Sequence, residues 1–192
     1  MTVVPGGLVS LEYALEGLGL TKQPSNTGSL SARDADIASY IVAATAVIEE
    51  LCGAVLPVSV TRRYHGGKSG ILLADRIAAG AVTAVTVNGV AVTGFLVDDS
   101  SGIIYASTDG TGYFEAGVKN VAVTMTVGYT AVPETLQLAA REQVRHWWQQ
   151  GKQGNRPSFG DEVTADTGYP MGFAVPNRVV ELCQPYLQSG FA

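Results

Sequence analysis

The hydrophobic period of this chain changes twice, at Leu56-Pro57 and again at Val132-Pro133. Outside these two points apolar residues recur at three- and four-residue steps, the mark of amphipathic helices. Between them they alternate in short runs broken by turn formers, the mark of half-buried strands. A chain divided in this way is neither all-helical nor all-β. The expected class is α+β: a small helical bundle, 1–57 and 130–192, with an antiparallel β-rich insertion, 58–129, between the second and third helices.

The clearest helix is Pro133–Gly151. Pro133 suits a first helical turn, where its missing N–H would have no partner anyway. Glu134 meets the positive end of the helix dipole, and Arg141, Arg145, His146 and Lys152 gather towards the negative end. Leu136, Ala140, Val144 and Trp147 form the apolar stripe, with Trp148 beside it, and Gly151 is the expected stop. Adjacent helical residues sit about 100° apart, so Trp147 and Trp148 cannot both face one core. The expectation is Trp147 inside and Trp148 lateral, with Arg141 and Arg145, towards a neighbouring subunit.

A second helix opens at Ser31, a suitable N-cap, with Asp34 three residues on as a short analogue of the capping-box acid. Ile37, Tyr40, Ile41, Ala44, Ile48 and Leu51 share its stripe, and Gly53 follows. Ile37, Ile41 and Ile48 are expected to pack against Leu136, Val144 and Trp147. Its polar face reads Arg33, Asp36, Ser39, Thr45, Glu49 and Glu50. A shorter helix is expected over 8–19 and a last one over 177–188, where Pro185 should bend or end it. Residues 152–175 show no period and carry Phe159, Tyr169 and Phe173. A stretch of that length without structure is usually functional or disordered.

Within 58–129 the strand candidates are 58–64, 71–73, 82–87, 90–92, 95–97, 102–105, 113–114 and 121–129. Asn88-Gly89 between two β-rich runs is the strongest short-range hairpin signal. Six or seven short strands of this kind make a small sheet or sandwich.

Charge and composition exclude several functions. Of 192 residues 15% are charged and the net charge is −5, so nothing points to gripping nucleic acid through its phosphates. No apolar run is long enough to cross a membrane. The N-terminus has no Lys or Arg ahead of an apolar core, so no secretory signal is expected. Cys52 and Cys183 lack metal-motif spacing and are expected to be reduced, packed thiols.

Candidate chemistry is thin. His65 lies in His65–Gly70, HGGKSG, but a phosphate loop needs G-x-x-x-x-G-K-[ST] between strand and helix, and this stretch reads as a turn. Ser69 has no nucleophile-elbow context. Asp98-Asp99 precede Ser-Ser-Gly, the composition of a turn rather than of a metal pair. No Cys, His and carboxylate set has ligand spacing. Of Arg62 and Arg63, adjacent in a strand, only one can belong to a given surface patch. Arg62 is taken as a partner-contact candidate, with Phe159, Tyr169 and Phe173. No catalytic residue, metal or cofactor is assigned.

Taken in order, E-E-L-C-G, T-R-R-Y-H-G-G, T-A-V-T-V-N-G-V, D-D-S-S-G-I-I-Y, V-A-V-T-M-T-V-G-Y-T-A-V-P and L-A-A-R-E-Q-V-R-H-W-W-Q-Q resemble head-to-tail connector (adaptor) proteins of tailed double-stranded DNA phages. The likeness is greatest to those of phages infecting actinobacteria and spans about residues 31–155. It implies a structural protein of the virion neck, made in the host cytoplasm. Such a protein forms a homo-oligomeric ring, usually of twelve copies, beneath the portal protein. The ring would extend the DNA channel without sequence-specific binding and present a surface to a downstream neck or tail terminator protein. The alternative is a tail or baseplate module whose β-rich part recognises a surface ligand.

Overall fold

The computed structural model describes residues 4–24, 30–73, 77–153 and 175–187. The chain forms two compact units, Met1–Cys52 with Pro133–Ala192, and Gly53–Val132. Phe159, Tyr169 and Phe173 lie outside the described residues.

The first unit is helical. Helix α1, Leu11–Gly17, is shorter than its leucine pattern suggests, because Ser10 caps it by accepting a hydrogen bond from the Tyr13 amide. Leu8 precedes the helix yet is buried, and its N–H donates to Thr45 Oγ1 at 2.9 Å. Thr45 is therefore not on the polar face of helix α2, Ala32–Cys52, as its spacing suggests. It is buried, and its hydroxyl in turn donates to the Ile41 carbonyl. A hydroxyl that serves both as acceptor and donor carries no unpaired polar atom into the core.

Helix α3, Glu134–Gln153, runs through Gly151 rather than stopping there. Helix α4, Asn177–Cys183, gives way to a 3₁₀ turn, Gln184–Tyr186, at Pro185. Helix α3 packs against α1, α2 and α4, and α2 also meets α1 and α4. Leu11, Leu15, Ile37, Ile41, Ile48, Leu136, Ala140, Val144, Val179 and Cys183 make up most of the interior. Alanines at 44, 139 and 140, all fully buried, are small enough for helices to approach closely.

Among the described residues, the second unit holds seven strands in two antiparallel sheets. Strands β1 Val58–Tyr64, β3 Ile77–Val87, β4 Val90–Ala91 and β7 Val121–Val127 form one sheet in the order β1-β7-β3-β4. Strands β2 Gly70–Leu72, β5 Leu96–Asp98 and β6 Ile103–Tyr105 form the other in the order β2-β6-β5. Asn88 and Gly89 both take positive φ (52° and 83°) and close the β3–β4 hairpin, as their sequence signals. Residues 113–114, alternating in sequence, form no strand; Phe114 instead turns inward and is buried.

β7 is the central strand of its sheet, and its burial alternates strictly. Val121, Val123, Met125 and Val127 point inward and meet Ile71 and Ile104 from the second sheet, with Val85, Leu73 and Phe114. Two sheets sharing one apolar core make a small sandwich.

Candidate assembly surfaces

The residues that sequence alone marks for a partner fall in different settings. Arg62 lies on β1 opposite Val123, on the strand face that carries Val60 and Tyr64 inward, yet it is exposed. A charge in this position at a sheet edge discourages unregulated edge pairing.

Arg141 is engaged within its own unit. Its guanidinium carbon lies 4.6 Å from the centroid of the Tyr13 ring, a cation–π distance. Its aliphatic stem covers Gly17, where an added Cβ would come within 2.6 Å of Arg141 Cδ. Arg145 is exposed and Trp148 half-buried. With Gln149 and the α1 end, Gly17-Leu18-Gly19, they line a hollow of about 390 Å³. The structure thus brings Arg145 and Trp148 together and assigns Arg141 to holding α1 on α3. Gly17 and Gly19 belong to this surface, and only their spacing beside α1 signals them in sequence.

Ile37, Ile41, Ile48, Leu136 and Val144 are fully buried and Trp147 is 5% exposed. Tyr40 meets Trp147 at a centroid distance of 6.3 Å in a tilted arrangement. Gln143, at the middle of α3, is also fully buried, and neither amide atom has a hydrogen-bond partner among the described residues.

The His65–Gly70 segment is tied down by its main chain. Gly66 N–H donates to the Gly117 carbonyl and to Asn120 Oδ1, and Gly67 N–H donates to the Phe114 carbonyl. The Gly66 and Gly67 amides of this loop are therefore engaged. Gly66 is required on space alone, since a Cβ there would lie 1.9 Å from the Glu115 carbonyl oxygen. His65 Nδ1 accepts from the Lys119 amide, which leaves Nε2 as the ring donor. The side chains of this loop, Lys68 and Ser69 among them, line a groove of about 540 Å³ with Arg63 and strands β2 and β6. The turn-like composition of HGGKSG gives no sign of that groove.

Asp98 makes a turn. Ser100 Oγ donates to its carboxylate at 2.6 Å and Ser101 Oγ at 2.5 Å, joined by the Ser100 amide at 3.0 Å. These bonds, the Ser100 hydroxyl first, hold its pKa down at about 2. Among the described residues no group of three or more His, Cys, Asp or Glu is placed to hold a metal ion. No helix among them is long and apolar enough to cross a membrane.

Comparison with known families decides the affiliation. The model of the head completion protein family matches residues 26–187. The chain belongs to the head completion protein family. It is a structural protein of the virion. Its fold is similar to that of a chain in the virion of a native gene transfer agent (GTA) particle. The TM-score is 0.59 at 18% identity, over 100% of this chain and 95% of that one. It is similar too to a chain in the neck of an empty GTA particle, with TM-score 0.58, 18% identity and the same coverage. At that identity the likeness is one of fold. No curated protein matches the chain.

Proposed function

We propose that this head completion protein assembles as a ring beneath the portal at the capsid–tail junction. The ring extends the DNA channel and offers the docking surface for the next neck or tail protein. The family match over 26–187 carries this reading, and the fold shared with a GTA neck chain across its whole length supports it. That neck was described with C6 symmetry, with which a ring of twelve copies is compatible.

The chemistry of the chain suits the role. A ring needs heterologous contacts, one face of a subunit meeting a different face of the next. The Arg145–Trp148 hollow and the open edges of both sheets are distinct surfaces available for such contacts. A net charge of −5 lets DNA pass, where a basic lining would hold its phosphates. The role is structural rather than catalytic.

The test is to mix purified chain with its portal protein and image the product by cryo-electron microscopy. A ring of this chain on the portal is expected. Absence of a complex, together with labelled protein at the tail tip of virions, would instead select the ligand-recognising tail module.

A further inference from the structure

Two sheet edges border one groove. β1 ends the four-stranded sheet and β2 ends the three-stranded one. The groove of about 540 Å³ is lined by the end of β1 (Arg63, Tyr64), by β2 (Gly70–Leu72) and by Ile103 and Tyr105 of β6.

The register shows which main-chain groups of β1 face away from the sheet. The Asn88 amide donates to the Asn120 carbonyl, which marks Asn88 and Asn120 as a hydrogen-bonded pair of the β3–β7 ladder. Alternation directs the main-chain groups of residues 120, 122 and 124 to β3, and those of 121, 123, 125 and 127 to β1. Their partners on β1 are Tyr64, Arg62, Val60 and Val58. Ser59, Thr61 and Arg63 therefore point N–H and C=O out of the sheet, and all three are exposed. β1 has seven residues, with neither a proline nor a register shift in its pairing with β7. Such an edge accepts an extended segment.

The groove walls add selectivity. Ile71, Leu72, Ile103 and Tyr105 supply apolar surface, and Leu72 is 55% exposed. Arg63 and Lys68 stand at its rim with the His65 ring, and among the described lining residues there is no carboxylate. This local cationic character contrasts with the net charge of −5 on the whole chain.

We propose that the groove binds an extended, carboxylate-bearing segment of a partner protein, which adds as a strand to β1. Its main chain pairs with Ser59, Thr61 and Arg63. Alternate apolar side chains enter the groove, and carboxylates meet Arg63 and Lys68. The charge complementarity favours this occupant. The alternating donors and acceptors of the edge favour a peptide over a nucleic acid, whose backbone has no such pattern. The proposal rests on the reading of the chain as an assembly subunit, for which it names a partner chemistry.

The probe is a fluorescent ten-residue peptide alternating Val or Thr with Glu, titrated into the full chain by polarisation. Saturable binding is expected. A Gln-for-Glu peptide should bind about tenfold more weakly, the loss of one or two charge-assisted contacts. A peptide N-methylated on the residues that face β1 should not bind. The Arg63→Glu/Lys68→Glu variant, with a melting temperature like that of the parent, should lose the acidic peptide. Equal binding of the N-methylated peptide, or displacement of the acidic peptide by a short DNA duplex, would overturn the proposal. So would absence of binding by the parent chain. Because these titrations use the isolated chain, a ring on the portal without peptide binding removes this proposal alone. Peptide binding without any portal complex removes the neck-ring reading alone.

Discussion

Cys52 Sγ lies 3.8 Å from the carbonyl oxygen of Cys183, across 131 residues of sequence. The contact ties the end of α2 to the end of α4. Both thiols are buried, and neither is part of a disulfide. Burial, with Cys52 beside it, pushes the Cys183 thiol up to about 12.

Both cysteines should therefore resist alkylation by iodoacetamide at pH 8 in the native protein and react quickly in guanidinium. The sign for stability follows. Cys183 keeps its proton in the folded state above the pH at which the unfolded thiol, near 9.0, loses it. Stability is then fully present below about pH 9 and falls as pH rises towards 12. Rapid native labelling of Cys183 would contradict its burial.

Asp34 is fully buried at the start of α2. Its carboxylate accepts from Arg33 Nε at 3.0 Å and Nη2 at 2.7 Å, and from the Gln23 amide at 3.0 Å. Burial acts to raise its pKa, but the Arg33 hydrogen bond, the Gln23 amide, the Arg33 charge and Ser31 outweigh it and hold the group below its usual 3.8. Asp34→Ala should cost about 2 kcal/mol at pH 7, the range for hydrogen bonds to a charged group. With a depressed folded pKa, this stability is present above pH 3.8 and is lost as pH falls through the folded value. Urea melts of parent and variant should converge in acid; a gap constant from pH 7 down to pH 2 would rule out the carboxylate as its source.

Trp147 and Trp148 should separate in mutagenesis. Trp147→Ala should lower stability by about 3–5 kcal/mol, as large aromatic truncations in cores do. Trp148, half-buried beside Arg145, should when changed to Ala spare the monomer and weaken ring assembly. Equal falls in melting temperature in the two variants would show that the division is wrong.

Gln143 is buried on α3 with an amide that has no hydrogen-bond partner among the described residues. An unpaired buried amide costs about 1–3 kcal/mol. Gln143→Met, close in shape, should raise the urea midpoint of the isolated chain. A lowered midpoint would mean that the amide is satisfied in solution.

Gly128 takes φ +102°, and a Cβ there would lie 2.4 Å from the Leu56 carbonyl oxygen. Gly128→Ala combines a disfavoured backbone, itself about 1–3 kcal/mol, with a clash against main chain that cannot rotate away. A marked loss of soluble protein or of melting temperature is expected. Parent-like thermal unfolding would show that the chain can move aside at this turn.

Much of the architecture follows from sequence periodicity alone. The helical pattern of Ile37, Ile41 and Ile48, the alternation of Val121–Val127 and the Asn88-Gly89 turn are local properties. Each depends on residues at most a few positions apart, so each is legible in order along the chain. The family resemblance is legible for the same reason, as ordered short segments.

Tertiary structure decided what depends on distant partners. Thr45 has the spacing of a surface residue, and its buried hydroxyl is paired both with the local Ile41 carbonyl and with the Leu8 amide, 37 residues away. Arg141 reads as an outward cation until Tyr13 and Gly17 are seen beneath it. Phe114 looks like a strand residue and is instead the plug of a sandwich. The groove at Arg63 and Lys68 exists only because one sheet ends at β1 and the other at β2. Strand order and the coming together of two edges are set by long-range packing, which no local spacing encodes.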